Sequence, residues 1–221
     1  MVNTKQSKIF TLNPTASDLN FSRLLKTHGP QYWWPISGSK KDVLLEIALG
    51  AILTQNTSWS NVEKALDCLK KEHFLNLPAI LKCPQAKLEK CLKSSGYFRQ
   101  KAKKIKIFTK WLEKKYGGSL GNFFKSEDVL KMRGELLSLW GIGRETADSI
   151  LLYAGGKPIF VIDTYTKRFC AKMGIQFKDY DEYRAFFENK LYNKLKKWPR
   201  VKLYNEFHAL IVRWGKEKNG R

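Results

Sequence analysis

Apolar residues recur along this chain at three- and four-residue intervals, the spacing that lines one face of an α-helix. From Asp42, a possible cap, the run Leu44, Leu45, Ile47, Ala48, Ile52 and Leu53 fills nearly every face. The pattern predicts a buried central helix ending near Thr54-Gln55-Asn56-Thr57. Val62, Ala65, Leu66 and Leu69 repeat the spacing, as do Leu88, Cys91 and Leu92, with Pro78 and Pro84 as punctuation. Ala102, Ile105, Phe108 and Leu112 form one stripe of a long helix that stops at Gly117-Gly118. Ser126 can cap the next helix, and Thr146, Ala147, Ile150, Leu151 and Ala154 carry another up to Gly155-Gly156. Three more patterns lie around Tyr165–Met173, which Gly174 is placed to end, Tyr183–Tyr192 and Val201–Trp214. Residues 1–20 show no period and read as a loosely held arm, and Ser37-Gly38-Ser39 reads as a turn.

Only Ile159–Ile162 reads as a strand, and four isolated residues cannot build a sheet. The fold is therefore expected to be all-α, without internal repeats. A length of 221 residues suits one domain or a compact two-lobed body. Composition then narrows the partner. Lysine and arginine number 41 against 20 acidic residues, a net charge of +21, the electrostatic footprint of a polyanion binder. Residues 82–115 hold twelve basic and two acidic side chains, and residues 190–221 hold ten and two. Such runs are ordinarily solvated helix faces, but the global excess makes nucleic acid the first suspect.

Cys68, Cys83, Cys91 and Cys170 are scattered, and the chain shows no secretory signal, membrane-length apolar span or lipidation motif. Free thiols in a reducing cytoplasm are expected. No cofactor or metal is implied.

The segment with the most chemistry is Leu139-Trp140-Gly141-Ile142-Gly143-Arg144-Glu145-Thr146-Ala147, followed by Ile159-Phe160-Val161-Ile162 and Asp163. Two glycines around one apolar residue, between two helices, make a turn whose backbone N–H groups can face a phosphate. The lone carboxylate after it is a candidate catalyst. Asp163 can equally cap the helix that begins at Thr164, and both roles are compatible.

These residues resemble the helix-hairpin-helix DNA glycosylases of the endonuclease III superfamily, and within it the 3-methyladenine glycosylase III branch. The resemblance covers most of residues 31–215: Trp33-Trp34-Pro35, Leu53-Thr54-Gln55-Asn56-Thr57, Ser95-Gly96-Tyr97-Phe98 with Gln100-Lys101-Ala102, the glycine hairpin, Val161-Ile162-Asp163 and Phe207-His208. It implies a two-lobed fold: a six-helix barrel lobe over 41–155, and a second helical lobe from residues 1–40 and 156–221, with the active-site cleft between them. It also implies a monomer acting on double-stranded DNA that contains a damaged base, in the cytoplasm at the nucleoid. Membrane association is not expected, nor is an iron–sulfur cluster, since only Cys170 follows the hairpin.

Cleaving an N-glycosidic bond leaves positive charge on the sugar, which a carboxylate beneath it stabilises; Asp163 fits that role. Bifunctional members of the superfamily carry a Schiff-base lysine two residues after the second hairpin glycine, where this chain has Glu145. Water is then the expected nucleophile, and Glu145 is either catalytic or a carboxylate favoured by its helix N-terminus. A base inside a duplex must be extruded. By resemblance Gln55 fills the gap, although it can also be a solvent-facing helix end. Trp33, Trp34, Pro35, Trp59 and His208 are expected to line the base pocket, where a cationic alkylated base gains stacking and cation–π stabilisation; any single tryptophan can instead be core. Tyr153 is either a pocket or a core residue. Gly141, Gly143 and Arg144, with Arg99, Lys101 and Lys103, are expected on the DNA backbone. Related alkyl-purine enzymes can carry a pocket lysine two residues after the histidine, where this chain has Leu210. Three readings follow: a monofunctional glycosylase for alkylated purines such as 3-methyladenine, the same enzyme directed at uracil or thymine opposite guanine, and a non-catalytic DNA-binding protein.

Overall fold

The computed structural model describes residues 16–34, 43–194 and 198–218. Among these residues all regular structure is helical, and the expected strand at Ile159–Ile162 forms no ladder. Those four residues are buried all the same, in the irregular segment between helices. None of the described helices is long and apolar enough to cross a membrane.

The chain divides into two compact units, one made of residues 32–161 and the other of residues 1–31 with 162–221. The first contains α2 (Val43–Leu53), α3 (Trp59–Lys71), α4 (Leu77–Lys82), α5 (Gln85–Leu92), α6 (Phe98–Tyr116), α7 (Leu120–Phe123), α8 (Val129–Leu137) and α9 (Arg144–Ser149). α2 is the buried helix its all-round apolar sequence calls for, with Leu45 through Leu53 shielded from solvent. Asp42, Pro35 and the Ser37-Gly38-Ser39 turn lie outside the described residues. On α6 the predicted stripe of Ala102, Ile105, Phe108 and Leu112 is buried. That helix ends where Gly117 (φ 60°) and Gly118 (φ 76°) take the left-handed backbone that side chains disfavour. α8 is capped by Asp128, whose Oδ1 accepts from Lys131 N at 2.9 Å, and not by Ser126. Ser126 sits two residues too early, and its hydroxyl accepts from Asp128 N instead.

α9 does not continue as an α-helix. Residues Ile150–Ala154 form a π turn, which widens the helix and turns Tyr153 toward Trp33 and Trp34. Cys68 on α3 and Cys91 on α5 are joined in a disulfide, with Cα atoms 5.2 Å apart, correcting the expectation of free thiols at both positions. The physical reason is the packing of α3 on α5, which presents the two side chains to each other. Cys83 and Cys170 are free and buried.

The second unit contains α1 (Ala16–His28), α10 (Thr164–Lys172), α11 (Tyr180–Lys194) and α12 (Arg200–Lys218). α1 begins within the segment read as a loose arm; its Phe21 is 2% exposed and meets Phe207 edge-on at 5.3 Å. Phe169 and Phe187 close on the same ring at 5.9 and 5.8 Å. α10 lies so near α12 that a Cβ on Gly215 would fall 2.3 Å from the Tyr165 ring. Gly174, at φ 72°, follows α10 and ends it as its position suggests.

Candidate active site

The sequence-derived residues fall into three groups, each within one unit. The first surrounds Asp163, the N-cap of α10. Its Oδ1 accepts from Thr166 N at 2.7 Å, and its Oδ2 lies 3.5 Å from His208 Nε2 on α12. The capping role is therefore observed. The side chain keeps 15% of its surface open. Burial pushes the carboxyl pKa up, but the His208 imidazole beside it and the hydrogen bond from Thr166 outweigh this and hold it below the ordinary value. Asp163 is thus kept as a carboxylate, fixed in orientation by groups on two helices. Leu210, near His208 on α12, is wholly buried.

The second group is aromatic. Trp33 and Trp34 stack at 6.0 Å, Trp59 meets Trp34 edge-on at 5.0 Å, and Tyr153 lies 4.9 Å from Trp34. Gly50 on α2 admits the Trp34 ring, since a Cβ there would stand 3.1 Å from it. The indole N–H groups of Trp34 and Trp59 are buried without a hydrogen-bond partner among the described residues. Sequence alone left Tyr153 undecided; the π turn that directs it to the indoles has no sequence signature.

The third group is the glycine hairpin. Gly141 has φ 83°, and Lys104 on α6 lies directly over it. Gly143 caps α9 with an extended backbone at φ −90°, and a Cβ there would meet nothing within 4 Å. Arg99, Lys103, Arg144 and Glu145 are exposed, Glu145 in the first turn of α9. Lys103 Nζ stands 4.3 Å over the half-exposed ring of Trp140. Gln55 does not wave into solvent. Its Nε2 donates to Gly141 O at 3.2 Å and to Thr146 Oγ1 at 2.7 Å, while Lys104 Nζ donates to its Oε1. The sequence motif included Gln55 and the hairpin but gave no sign that Lys104 links them.

Lys101 is the one expected backbone contact that the structure overturns. It is 1% exposed, and its Nζ donates to Leu53 O at 2.9 Å and Ser95 O at 2.5 Å. The helical period turns Lys101 inward beside Ala102 and Ile105, where it satisfies carbonyls left over at the ends of α2 and the 3₁₀ turn Lys93–Ser95. Burial, with Lys104 nearby, lowers its pKa to about 8. Because an unfolded lysine titrates near 10.5, the unfolded chain binds more protons at this group from pH 8 upward. Its contribution to stability therefore rises with pH across that window. The stability gap between the protein and Lys101→Met, measured by urea denaturation, is expected to be wider at pH 9.5 than at pH 7.

A helix, a two-glycine turn, a helix and an aspartate capping a later helix, on an all-α scaffold, make up a helix-hairpin-helix fold. Residues 49–193 match the family described as HhH-GPD superfamily base excision DNA repair protein, and the chain belongs to that family as a DNA glycosylase. A Methanocaldococcus jannaschii protein named as a candidate DNA repair glycosylase is 42% identical over 191 residues, 86% of this chain and 82% of its own length. Endonuclease III of Thermotoga maritima is 33% identical over 128 residues, 58% of this chain and 55% of its own. Among solved structures, H. pylori 3-methyladenine DNA glycosylase bound to 1,N6-ethenoadenine superimposes with a TM-score of 0.78 at 35% identity, covering 91% of this chain and 95% of that one. A trapped endonuclease III–DNA covalent intermediate shares the fold, with a TM-score of 0.71 at 22% identity over 92% and 87% of the two chains.

Proposed function

We propose that this chain is a monofunctional glycosylase that hydrolyses the N-glycosidic bond of a flipped, alkylated purine such as 3-methyladenine in double-stranded DNA. The observation that carries this reading is the oriented, ionised carboxylate of Asp163. A fixed anion near C1′ stabilises the positive charge that develops on the sugar as the base leaves. The C1′–N bond breaks with its electron pair on the base, which discharges the cation created by alkylation. Water then adds to C1′ and its proton passes to the Asp163 carboxylate and on to solvent. A base already cationic needs no general acid, so aromatic faces and one carboxylate are enough.

The grouping of Trp33, Trp34, Trp59 and Tyr153 supports a stacking site for the base. The relative with bound 1,N6-ethenoadenine is a purine enzyme, which favours the same substrate class. Uracil or thymine opposite guanine is the second reading, favoured by the apolar Leu210 where alkyl-purine relatives can carry a lysine. The hairpin, with Arg99, Lys103 and Arg144, grips the DNA backbone. Gly143 supports this: nothing in the fold demands glycine there, whereas a phosphate approaching the backbone would.

Glu145 at the Schiff-base position makes water the nucleophile, as a catalyst or only as a helix-terminal charge. The enzyme needs no cofactor and works as a monomer on nucleoid DNA in the cytoplasm. The test uses duplexes that each carry one lesion. The protein is expected to release 3-methyladenine in preference to uracil or mismatched thymine, leave the abasic strand intact and form no borohydride-trapped adduct. A covalent adduct would overturn the monofunctional reading, and preferential uracil release would favour the second.

A further inference from the structure

Lys104 is absorbed by none of the roles described above. It leaves α6 on the face beside Lys101, half-buried, and its carbon stem crosses the first hairpin glycine. A Cβ on Gly141 would lie 2.6 Å from Lys104 Cε and 2.7 Å from Cγ. Beyond the glycine, the ammonium reaches the Oε1 of Gln55. The other end of that carboxamide faces the hairpin carbonyl of Gly141 and the hydroxyl of buried Thr146.

The chemistry of these partners leaves one orientation open. An ammonium has only donors and a backbone carbonyl only acceptors. A flipped amide would set its NH₂ against Lys104 and its oxygen against Gly141 O, with a repulsive contact at each end. Gln55 is therefore fixed in position and in the sense of its amide, and α2, α6 and the hairpin are joined through one side chain. Lys104 differs in this from Lys103, which stands exposed on the Trp140 ring.

We propose that Lys104 is a positioning residue for base extrusion: by joining the Gln55 carboxamide to the hairpin turn, it sets the distance between the side chain that fills the vacated stack and the backbone that grips the phosphate. The proposal rests on the reading of the chain as a base-flipping glycosylase with Gln55 as the filler. Its physical content is preorganisation. A glutamine side chain free to rotate must be ordered at the moment the duplex opens, whereas this one is ordered beforehand.

Lys104→Met tests it, because the methionine stem still covers Gly141 while the ammonium is gone. Loss of a charge-assisted hydrogen bond corresponds to roughly tenfold. Excision of 3-methyladenine from duplex DNA is expected to fall about tenfold more than excision from the same strand unpaired. In a Gln55→Ala background the substitution should add little, since the two side chains act through one contact. The dependence of duplex binding on salt should keep the slope of the unmodified protein. A slope reduced by about 0.9, with equal losses on damaged and undamaged duplex, would make Lys104 a phosphate contact and overturn the proposal, as would additive effects with Gln55→Ala.

A readout without catalysis separates this from the glycosylase reading itself. The Gln55 side-chain amide protons, followed by NMR in the protein without DNA, should shift and exchange faster in Lys104→Met. Unchanged resonances would overturn the positioning role whatever the activity, while a protein that releases no base yet shows the amide shift would fail only as a glycosylase. If Lys104→Met does not fold, Gln55→Glu reads the same network. Its carboxylate keeps the Lys104 contact but repels Gly141 O, so the hairpin amide resonances of the protein without DNA shift and exchange faster if the joint holds the turn and stay unchanged if it does not.

Discussion

Replacing Asp163 with asparagine is expected to reduce base release by about 10²–10³-fold, the cost of removing one preorganised stabiliser of transition-state charge. Stability should fall only by what the ionised carboxylate contributes, because the cap itself is kept. Asparagine caps helices as well as aspartate does, so its side-chain oxygen can still accept from Thr166 N. Asp163→Ala removes cap and charge together and should add a loss of about 1 kcal/mol, read as a lower urea midpoint. Single-turnover base release beside equilibrium denaturation separates the two functions of one side chain, and an asparagine variant of full activity would end the catalytic assignment. pH gives an independent check. The native carboxyl sits below its ordinary value of 3.8, so the stability it contributes is fully present above that value and is lost only as pH falls through the lowered one. The acid limb of the excision rate assigned to Asp163 should likewise lie below the range in which free aspartate protonates.

Much of this architecture was legible because helical period and glycine chemistry act locally. The all-round apolar run at Leu44–Leu53 could only be a buried helix, and Gly117-Gly118 and Gly174 mark helix ends through a backbone conformation that few other residues tolerate. The hairpin and Asp163 were legible for the same reason, since both are short contiguous signals. What stayed hidden depends on neighbours distant in sequence. Lys101 reads as one more surface lysine in a basic run until α2 and the 3₁₀ turn present their carbonyls to it. The Cys68–Cys91 bond depends on how α3 meets α5, and the ties of Gln55 span 49 to 91 residues. The resemblance named Gln55 and His208, but their contacts with Lys104 and Asp163 came only with the three-dimensional arrangement.

The largest stability effect is expected at a pair remote from the chemistry. Arg133 on α8 donates through Nε to Asp148 Oδ1 at 2.6 Å and through a terminal nitrogen to Oδ2 at 3.2 Å. The aspartate side chain is fully buried and the arginine is 10% exposed. These residues hold together the two helices that the glycine turn connects. Arg133→Ala removes a charged partner of a buried carboxylate, and breaking such a pair costs about 3–5 kcal/mol, a large share of a typical domain's 5–15 kcal/mol. A marked fall in urea midpoint should accompany weaker binding to any duplex, damaged or not. Removing both partners as Arg133→Met with Asp148→Leu should restore most of the stability, because an apolar pair of similar volume leaves no charge uncompensated. If the double variant is no more stable than Arg133→Ala, the carboxylate is not what the arginine compensates.

The wide turn at Ile150–Ala154 has an evolutionary corollary. A π turn holds one residue more than an α-helix needs over the same rise. Deleting that surplus would restore a regular helix with its flanks in register and would reposition Tyr153, which lies inside the widened turn, against the indoles while the glycine loop upstream stayed intact. The glycine turn and the aromatic cluster are thus separable by indel, so that one can be reshaped while the other keeps its geometry.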